Sequence, residues 1–270
     1  MDPLHIKYEK LRELLSSLGS VAVAFSAGVD STFLLKTAHD VLGEDAVAVT
    51  AEHGAFPGRE MSEAVDFCTA EKIKHIKIPF DATSVEGFCD NPPDRCYICK
   101  KALFGKIIEK AIEGGFLCVA EGSNLDDDND YRPGARAIAE LGVNSPLKEA
   151  GLTKQDIRAL SRELGLPTWD KPSYACLATR IPYGEKITLE KLSMIERSEQ
   201  FLFDLGFRQS RVRHHGDTAR IEIERADFER IIDPQIRYDI SNELKEIGFR
   251  YVSVDLEGYR TGSMNRNVET

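Results

Sequence analysis

The feature that most constrains this chain is a short apolar run, Val21-Ala22-Val23-Ala24-Phe25. It passes directly into Ser26-Ala27-Gly28-Val29-Asp30-Ser31-Thr32 and then into a helical pattern closed by Gly43. A nearly continuous run of small and β-branched residues suits a strand buried on both faces, as in a parallel sheet. A strand that ends in a Ser/Gly turn and a helix start makes an anion site. The N–H groups of the turn and first helical turn converge, and the helix dipole favours negative charge there. Ser26, Ser31 and Thr32 add hydroxyl donors, and Gly28 permits close backbone approach. Asp30 repels a phosphate, so it either caps the helix or holds Mg2+. The loop lacks the lysine of the common nucleotide-triphosphate loop and the three-glycine spacing of the dinucleotide fingerprint. A plain N-capped helix start has the same composition.

The pattern around this loop repeats its logic. Apolar periodicity predicts helices over 4–18, 32–42, 59–71, 98–112 and 153–164, the last with Thr153 as N-cap and Asp156 three residues on. Strands are predicted at 46–50, 73–78 and 116–120. Strands alternating with helices are βαβ units, so the fold class is α/β with a parallel sheet. Residues 81–95 read as a loop. The polar stretch 121–134 carries five carboxylates and leaves the fourth strand at its carboxyl end, where ligands of open α/β sheets sit. Gly122 and Ser123 open that stretch. A solvated acidic loop is the alternative reading.

The character changes after a Pro-punctuated segment at 166–184. A helix over 189–205, a hairpin of 210–214 and 219–223 around Gly216-Asp217, helices over 227–232 and 234–247, and a last strand at 251–256 form a smaller α+β region. Two domains are expected, 1–185 and 186–270.

Charge and cysteine content narrow the function. Forty-five acidic residues against 35 basic ones give a net charge of -10, which argues against a nucleic-acid partner. No run approaches the roughly 18 apolar residues of a membrane span, and no signal peptide is evident. Six cysteines in 270 residues are too few for a disulfide scaffold, so a reducing cytoplasm is expected. Cys96-Tyr97-Ile98-Cys99 at a helix start suits a redox dithiol, a zinc site or an iron–sulfur cluster, and two thiols alone complete no metal site. Cys176 lies between Pro172 and Pro182, where a thiol can be presented. Cys68 and Cys118 read as core, and Cys89 as a spare loop cysteine or an alternate ligand. Arg211 and Arg213, two apart on a strand, share a face. Their forks suit phosphate or carboxylate, or simply a solvated strand face.

The loop Ser26–Thr32 resembles the Ser-Gly-Gly-x-Asp-Ser-Thr loop of N-type ATP-pyrophosphatases, with Ala27 in place of the first glycine. A methyl is tolerable there only if the position needs no positive φ, and it is expected to be tolerated. Asn129-Asp130-Tyr131-Arg132-Pro133-Gly134, Ser173-Tyr174-Ala175-Cys176, Arg180-Ile181-Pro182-Tyr183-Gly184, Val212-Arg213-His214 and Gly258–Asn265 are similar to the LarE family. These are sulfur transferases of nickel-pincer nucleotide synthesis, and the similarity runs over nearly the whole chain.

The resemblance implies an adenine-nucleotide alpha-hydrolase-like (Rossmann-like) sheet with a smaller C-terminal α+β domain. It implies an enzyme that adenylates a carboxylate of pyridinium-3,5-biscarboxylic acid mononucleotide with ATP and Mg2+ and replaces it by a thiocarboxylate. Ala24, Ser26, Gly28, Asp30, Ser31, Thr32, Gly122 and Ser123 are its ATP set, with Asn124 nearby. Cys176, Lys101 and Asp30 are its catalytic candidates, and Lys100 adjoins Lys101. Arg180, Arg211 and Arg213 match substrate arginines, and Asp128 and Glu199 match acidic residues of a divalent-metal site. Family members with one cysteine at the place of Cys176 give up its sulfur and are left with dehydroalanine. Those with three bind a 4Fe-4S cluster that carries sulfide. Cys96, Cys99 and Cys176 match the second pattern, which implies a sulfide donor, and Cys96 stands where the family has tryptophan. A homo-oligomer is implied as well. The competing readings are sacrificial transfer from Cys176, a tRNA thiolase, and a non-catalytic ATP- or metal-binding domain. His214 and His215 are candidate acid–base groups, or surface histidines.

Overall fold

The structure is a computed structural model. It describes residues 2–52, 54, 55, 57–129, 133–172, 175–260 and 264, with the side chains of 128 and 129 outside the description. Two compact units emerge. The first comprises Met1–His53, Gly58–Val85 and Asp94–Tyr174, and the second Gly54–Pro57, Glu86–Pro93 and Ala175–Thr270. The main segment of the second unit starts at Ala175, eleven residues before the expected 186, and two short earlier segments join it. No helix among the described residues is long and apolar enough to cross a membrane.

In the first unit the chain runs α1 (Pro3–Leu18), β1 (Val21–Ala24), α2 (Val29–Leu42), β2 (Ala46–Glu52), α3 (Gly58–Ala70) and β3 (His75–Pro79). It continues with α4 (Arg95–Glu113), β4 (Val119–Ala120), α5 (Pro133–Glu140), α6 (Pro146–Glu149) and α7 (Lys154–Glu163). The four strands form a sheet of order β3-β2-β1-β4, parallel throughout. Strand alternation sends Val21, Val23, Ala46 and Ala48 to the core beneath α1, α2 and α7. Ala22, Val47 and Val49 go to the opposite core, with Phe104, Ile107 and Ile138 of α4 and α5. This two-faced burial is why β1 and β2 read as continuous apolar runs.

The chain order steps outward from β1 to β3 and then returns to β4 on the other side of β1. The β1 and β4 carboxyl ends therefore flank the point where the strand order reverses, the usual ligand crevice of such sheets. Behind it, α7 is fixed by the expected capping box, with the Thr153 side chain accepting from the Asp156 N–H and the Asp156 carboxylate accepting from the Thr153 N–H. Such a cap contributes about 1 kcal/mol. The fourth strand is shorter than predicted. Helix α5 begins inside the stretch read as polar loop, at Pro133.

The second unit holds α8 (Leu189–Asp204), β5 (Ser210–His215), β6 (Thr218–Ile223), α9 (Phe228–Ile231), α10 (Pro234–Ile247) and β7 (Tyr251–Val254). β5 and β6 pair antiparallel across a two-residue turn at Gly216-Asp217, and β7 adds parallel to β6. One sheet face, with Val212, Ala219, Ile221 and Ile223, packs on Leu202, Ile240 and Leu244. Alternation puts Arg211, Arg213, Arg220 and Glu222 on the other face.

Candidate active site

The β1–α2 loop has the form the sequence predicts, with one correction. Ala27 takes φ +53° and is only 2% exposed, so the position does need the left-handed conformation that glycine supplies elsewhere. The methyl is accommodated there despite a cost of about 1–2 kcal/mol for an L-residue. Gly28 is the N-cap of α2 and offers no side chain, so no side-chain cap satisfies the helix start. The first N–H donors of α2 have no intrahelical acceptor by construction. The loop is braced instead by Ser31, whose Oγ accepts from the Ser26 N–H (3.3 Å) and donates to the Gly28 carbonyl (3.3 Å). Ser26 and Ser31 hydroxyls lie 3.1 Å apart. The Thr32 hydroxyl is buried and has no partner among the described residues. Such a group costs about 1–3 kcal/mol until something satisfies it. Ala24 ends β1, half-buried.

The β4 loop is drawn onto this helix start. A Cβ on Gly122 would sit 3.0 Å from the Ser31 nitrogen and 3.2 Å from Asp30 Cβ, so a side chain there would force this close approach to open by a few tenths of an ångström. Buried Glu121 holds the turn by accepting from the Ser123 N–H (3.1 Å), Ser123 Oγ (2.9 Å) and Ser145 Oγ (2.7 Å). Asn124 donates to Asp30 at 3.4 Å. The Asp30 carboxylate also pairs with Lys154 Nζ in a short contact, and the Lys154 N–H donates to Asp126 at 2.8 Å. Lys154 escapes motif matching. Its signal is a cation at the first position of α7, where the helix dipole disfavours one. The Asp128 side chain and residues Asp130, Tyr131, Arg132, Ser173, Tyr174, Thr261, Gly262, Ser263 and Asn265 lie outside the described set.

Further along the first unit, Cys96 and Cys99 sit in the first turn of α4, three apart and half-buried. Lys101 follows on the same helix. Its ammonium accompanies Tyr97 (2.8 Å) and Glu140 (3.0 Å), and Arg136 stacks 3.8 Å from the Tyr97 ring centroid. Lys100 lies along Gly134, where a Cβ would meet its stem at 2.7 Å. Cys68 is buried, and burial pushes its thiol up to about 12. Cys118 is half-buried against the same core.

In the second unit, Cys176 is half-buried at the start of a 3-10 turn that ends at Arg180. Arg180 is 1% exposed. Its guanidinium donates from Nη1 to the Ala175 carbonyl (2.8 Å), the Cys176 carbonyl (3.2 Å) and Thr179 Oγ1 (2.8 Å). From Nε and Nη2 it makes a bidentate pair with Glu199 at 2.8 and 2.9 Å. Glu199 also accepts from the Val212 N–H at 3.0 Å. Arg180 offsets the burial of Glu199 and holds its carboxyl below the usual range. Both oxygens of the acid matched to a divalent-metal site are thus engaged by the chain itself.

Arg213 donates to wholly buried Glu222 at 2.6 Å and to the Thr179 carbonyl at 3.2 Å. Glu222 was not singled out from sequence, although the hairpin register places it opposite Arg211. Arg211 lies 5.0 Å from the Tyr259 ring centroid. Burial and the neighbouring Arg180 and Arg213 hold it below the ordinary arginine value. His214 is held below the usual histidine value chiefly by burial, and exposed His215 is held below it by partial desolvation and the charge of Arg220. No group of three His, Cys, Asp or Glu side chains is gathered for a metal among the described residues.

A parallel sheet with uncapped N–H donors at its reversal point, beside an Asp30–Lys154 pair, defines a nucleotide-phosphate-binding α/β protein. The chain is 39% identical over 267 residues to the pyridinium-3,5-bisthiocarboxylic acid mononucleotide synthase of Lactiplantibacillus plantarum, covering 98% of this chain and 96% of that protein, and it belongs to that family. An uncharacterized protein of Synechocystis, slr1717, is 39% identical over 263 residues, with 97% and 98% covered. A GMP synthase of Roseobacter denitrificans is 28% identical over 240 residues, covering 77% of this chain and 42% of that protein. No protein-family model matches the chain.

Proposed function

We propose that this chain adenylates a carboxylate of pyridinium-3,5-biscarboxylic acid mononucleotide with ATP and converts it to a thiocarboxylate, releasing AMP and pyrophosphate. The observation that carries the reading is the set of uncapped donors at the start of α2, joined to membership of the synthase family. The N–H groups from Gly28 to Ser31 receive the ATP phosphates. Lys154, held beside Asp30, stabilises charge that develops on the leaving pyrophosphate. Asp30, whose oxygens accept from Asn124 and pair with Lys154, is the carboxylate that would hold Mg2+, which would supply further charge neutralisation when bound. A substrate carboxylate oxygen attacks the α-phosphorus, and the bond to the β-phosphate oxygen breaks. The resulting acyl-adenylate is a mixed anhydride that a sulfur nucleophile opens, releasing AMP. Arg211 and Arg213 bind the substrate phosphate, whose charge offsets the desolvation of Arg211 and the positive field of Arg180 and Arg213 around it. Arg180, paired with Glu199 in the neighbouring turn, adds a third positive charge felt by Arg211.

Two sources of sulfur are proposed. Cys96, Cys99 and Cys176 would hold a 4Fe-4S cluster, which when bound would supply an iron open to sulfide from an external donor. The second reading is favoured by the Arg180 guanidinium, whose charge lies within reach of the Cys176 thiol. There the Cys176 sulfur attacks the acyl carbon. Loss of the Cys176 α-proton then breaks its Cβ–S bond, leaving thiocarboxylate and dehydroalanine. A reducing cytoplasm and a homo-oligomer are part of the proposal.

Anaerobically purified protein incubated with ATP, Mg2+ and the substrate tests this. Formation of AMP and thiocarboxylate supports the reading, and absence of AMP ends it. A chain about 34 Da lighter after reaction marks sacrifice of Cys176. Unchanged mass, with iron and labile sulfide in the brown protein, marks the cluster.

A further inference from the structure

We infer that Lys171 is a positioning residue for the phosphate loop, acting through the carbonyl of Ala27. This rests on the reading of that loop as the ATP site. Ala27 is held at φ +53°, a conformation that residues other than Gly, Asn and Asp seldom keep. Something must stabilise it, and the structure shows what does. Lys171 Nζ donates to the Ala27 carbonyl at 2.8 Å. Its ammonium is also paired with Glu63 of α3 in a short contact, and the side chain is 11% exposed.

The lysine is itself fixed from behind. Arg158 of α7 donates to the Lys171 carbonyl from Nη2 and to the Trp169 carbonyl from Nη1, both at 2.7 Å. A chain of contacts therefore runs from α7 through Lys171 to the turn. It anchors the one residue of the loop that departs from the glycine expected there.

The consequence for binding follows from the planarity of the peptide. The Ala27–Gly28 bond is trans, so its C=O and N–H point in opposite directions. Lys171 fixes the oxygen, and the Gly28 N–H is thereby aimed away from the lysine. That N–H has no acceptor among the described residues, and it belongs to the same uncapped set as the first turn of α2. Without the ammonium, the Ala27 peptide is free to leave the left-handed region, and the Gly28 donor turns with it. Glycine at position 27 would need no such anchor. Lys171 and Ala27 are therefore coupled, a relation that a direct lysine–phosphate contact does not predict.

The test is a double-mutant cycle on the full chain, with Mg2+·ATP affinity read by calorimetric titration and folding by circular dichroism. Lys171→Met weakens ATP binding about tenfold, the size expected when one charge-assisted hydrogen bond that fixes the site is lost. Ala27→Gly sets its own reference affinity, and in that background Lys171→Met costs less than about threefold. Lys171→Gln, which keeps a neutral donor, falls between. It carries the test if the methionine variant does not fold. Equal losses in both backgrounds, or none in either, overturn the assignment. Wild-type protein that binds no ATP overturns the phosphate-loop reading itself, and the role of Lys171 with it.

Discussion

Glu199→Gln is the substitution whose cost the structure defines most closely. It removes one charge while keeping the side chain's shape. Glu199 is 4% exposed and Arg180 1%, and the two share a bidentate contact at 2.8 and 2.9 Å. Breaking a buried pair by removing one partner costs about 3–5 kcal/mol, because the other charge stays behind. Here it stays behind next to Arg211 and Arg213. The amide retains one oxygen for Arg180 or the Val212 N–H, so the lower end, about 3 kcal/mol, is expected.

Bulk unfolding of a chain with two units need not be two-state. Hydrogen exchange of the β5 segment, followed by mass spectrometry, reports on the second unit directly. A loss of about 3 kcal/mol lowers protection there roughly a hundredfold. The pH dependence has a defined sign. The folded carboxyl is held below its ordinary value. Its contribution is therefore complete above about pH 4.3 and is lost as pH falls through the lower folded value. The variant should lack that part of the acid limb. A protection change under about fivefold, equal to about 1 kcal/mol, would refute the buried-pair argument. Replacing both partners by apolar residues should be close to neutral for stability, within about 1–2 kcal/mol, while activity is lost.

Three further outcomes follow from the same geometry. Ala27→Val places a β-branched residue at positive φ in a packed site, and should cost about 3 kcal/mol by denaturant unfolding and abolish ATP binding. Lys154→Met should slow AMP formation about a hundredfold with the fold intact by circular dichroism, the usual scale for losing one electrostatic group of this kind. Iodoacetamide at pH 8 should leave Cys68 unmodified in the native protein, since burial pushes its thiol up to about 12. Peptide mapping checks this, with labelling of Cys68 as the contrary result.

The parallel sheet was legible because β1 and β2 are buried on both faces, and their apolar runs report that directly. The capping box of α7 and the turn at Gly216-Asp217 were equally readable, since each is fixed by residues close in sequence. Helix α5 was not. It begins inside a polar stretch, and its stability comes from packing Ala137 and Ile138, a tertiary term that local composition does not carry. The positive φ of Ala27 was hidden because the residue itself gives no sign of it.

The partners of the site residues were the least legible part. Lys154 meets Asp30 across 124 positions and Lys171 meets Ala27 across 144. Such contacts depend on the finished fold. Resemblance marked Arg180 and Glu199 as a substrate arginine and a metal-site acid. The fold shows them bonded to each other, and no residue-by-residue matching contains that fact.

The central claim is that a substrate carboxylate oxygen attacks the α-phosphorus of ATP. Substrate labelled with heavy oxygen in its carboxylates, incubated with the protein, Mg2+ and ATP, tests it by mass spectrometry of the nucleotide. The account predicts AMP carrying one heavy oxygen atom, with unlabelled pyrophosphate. ADP as the product, or AMP without label, would contradict it.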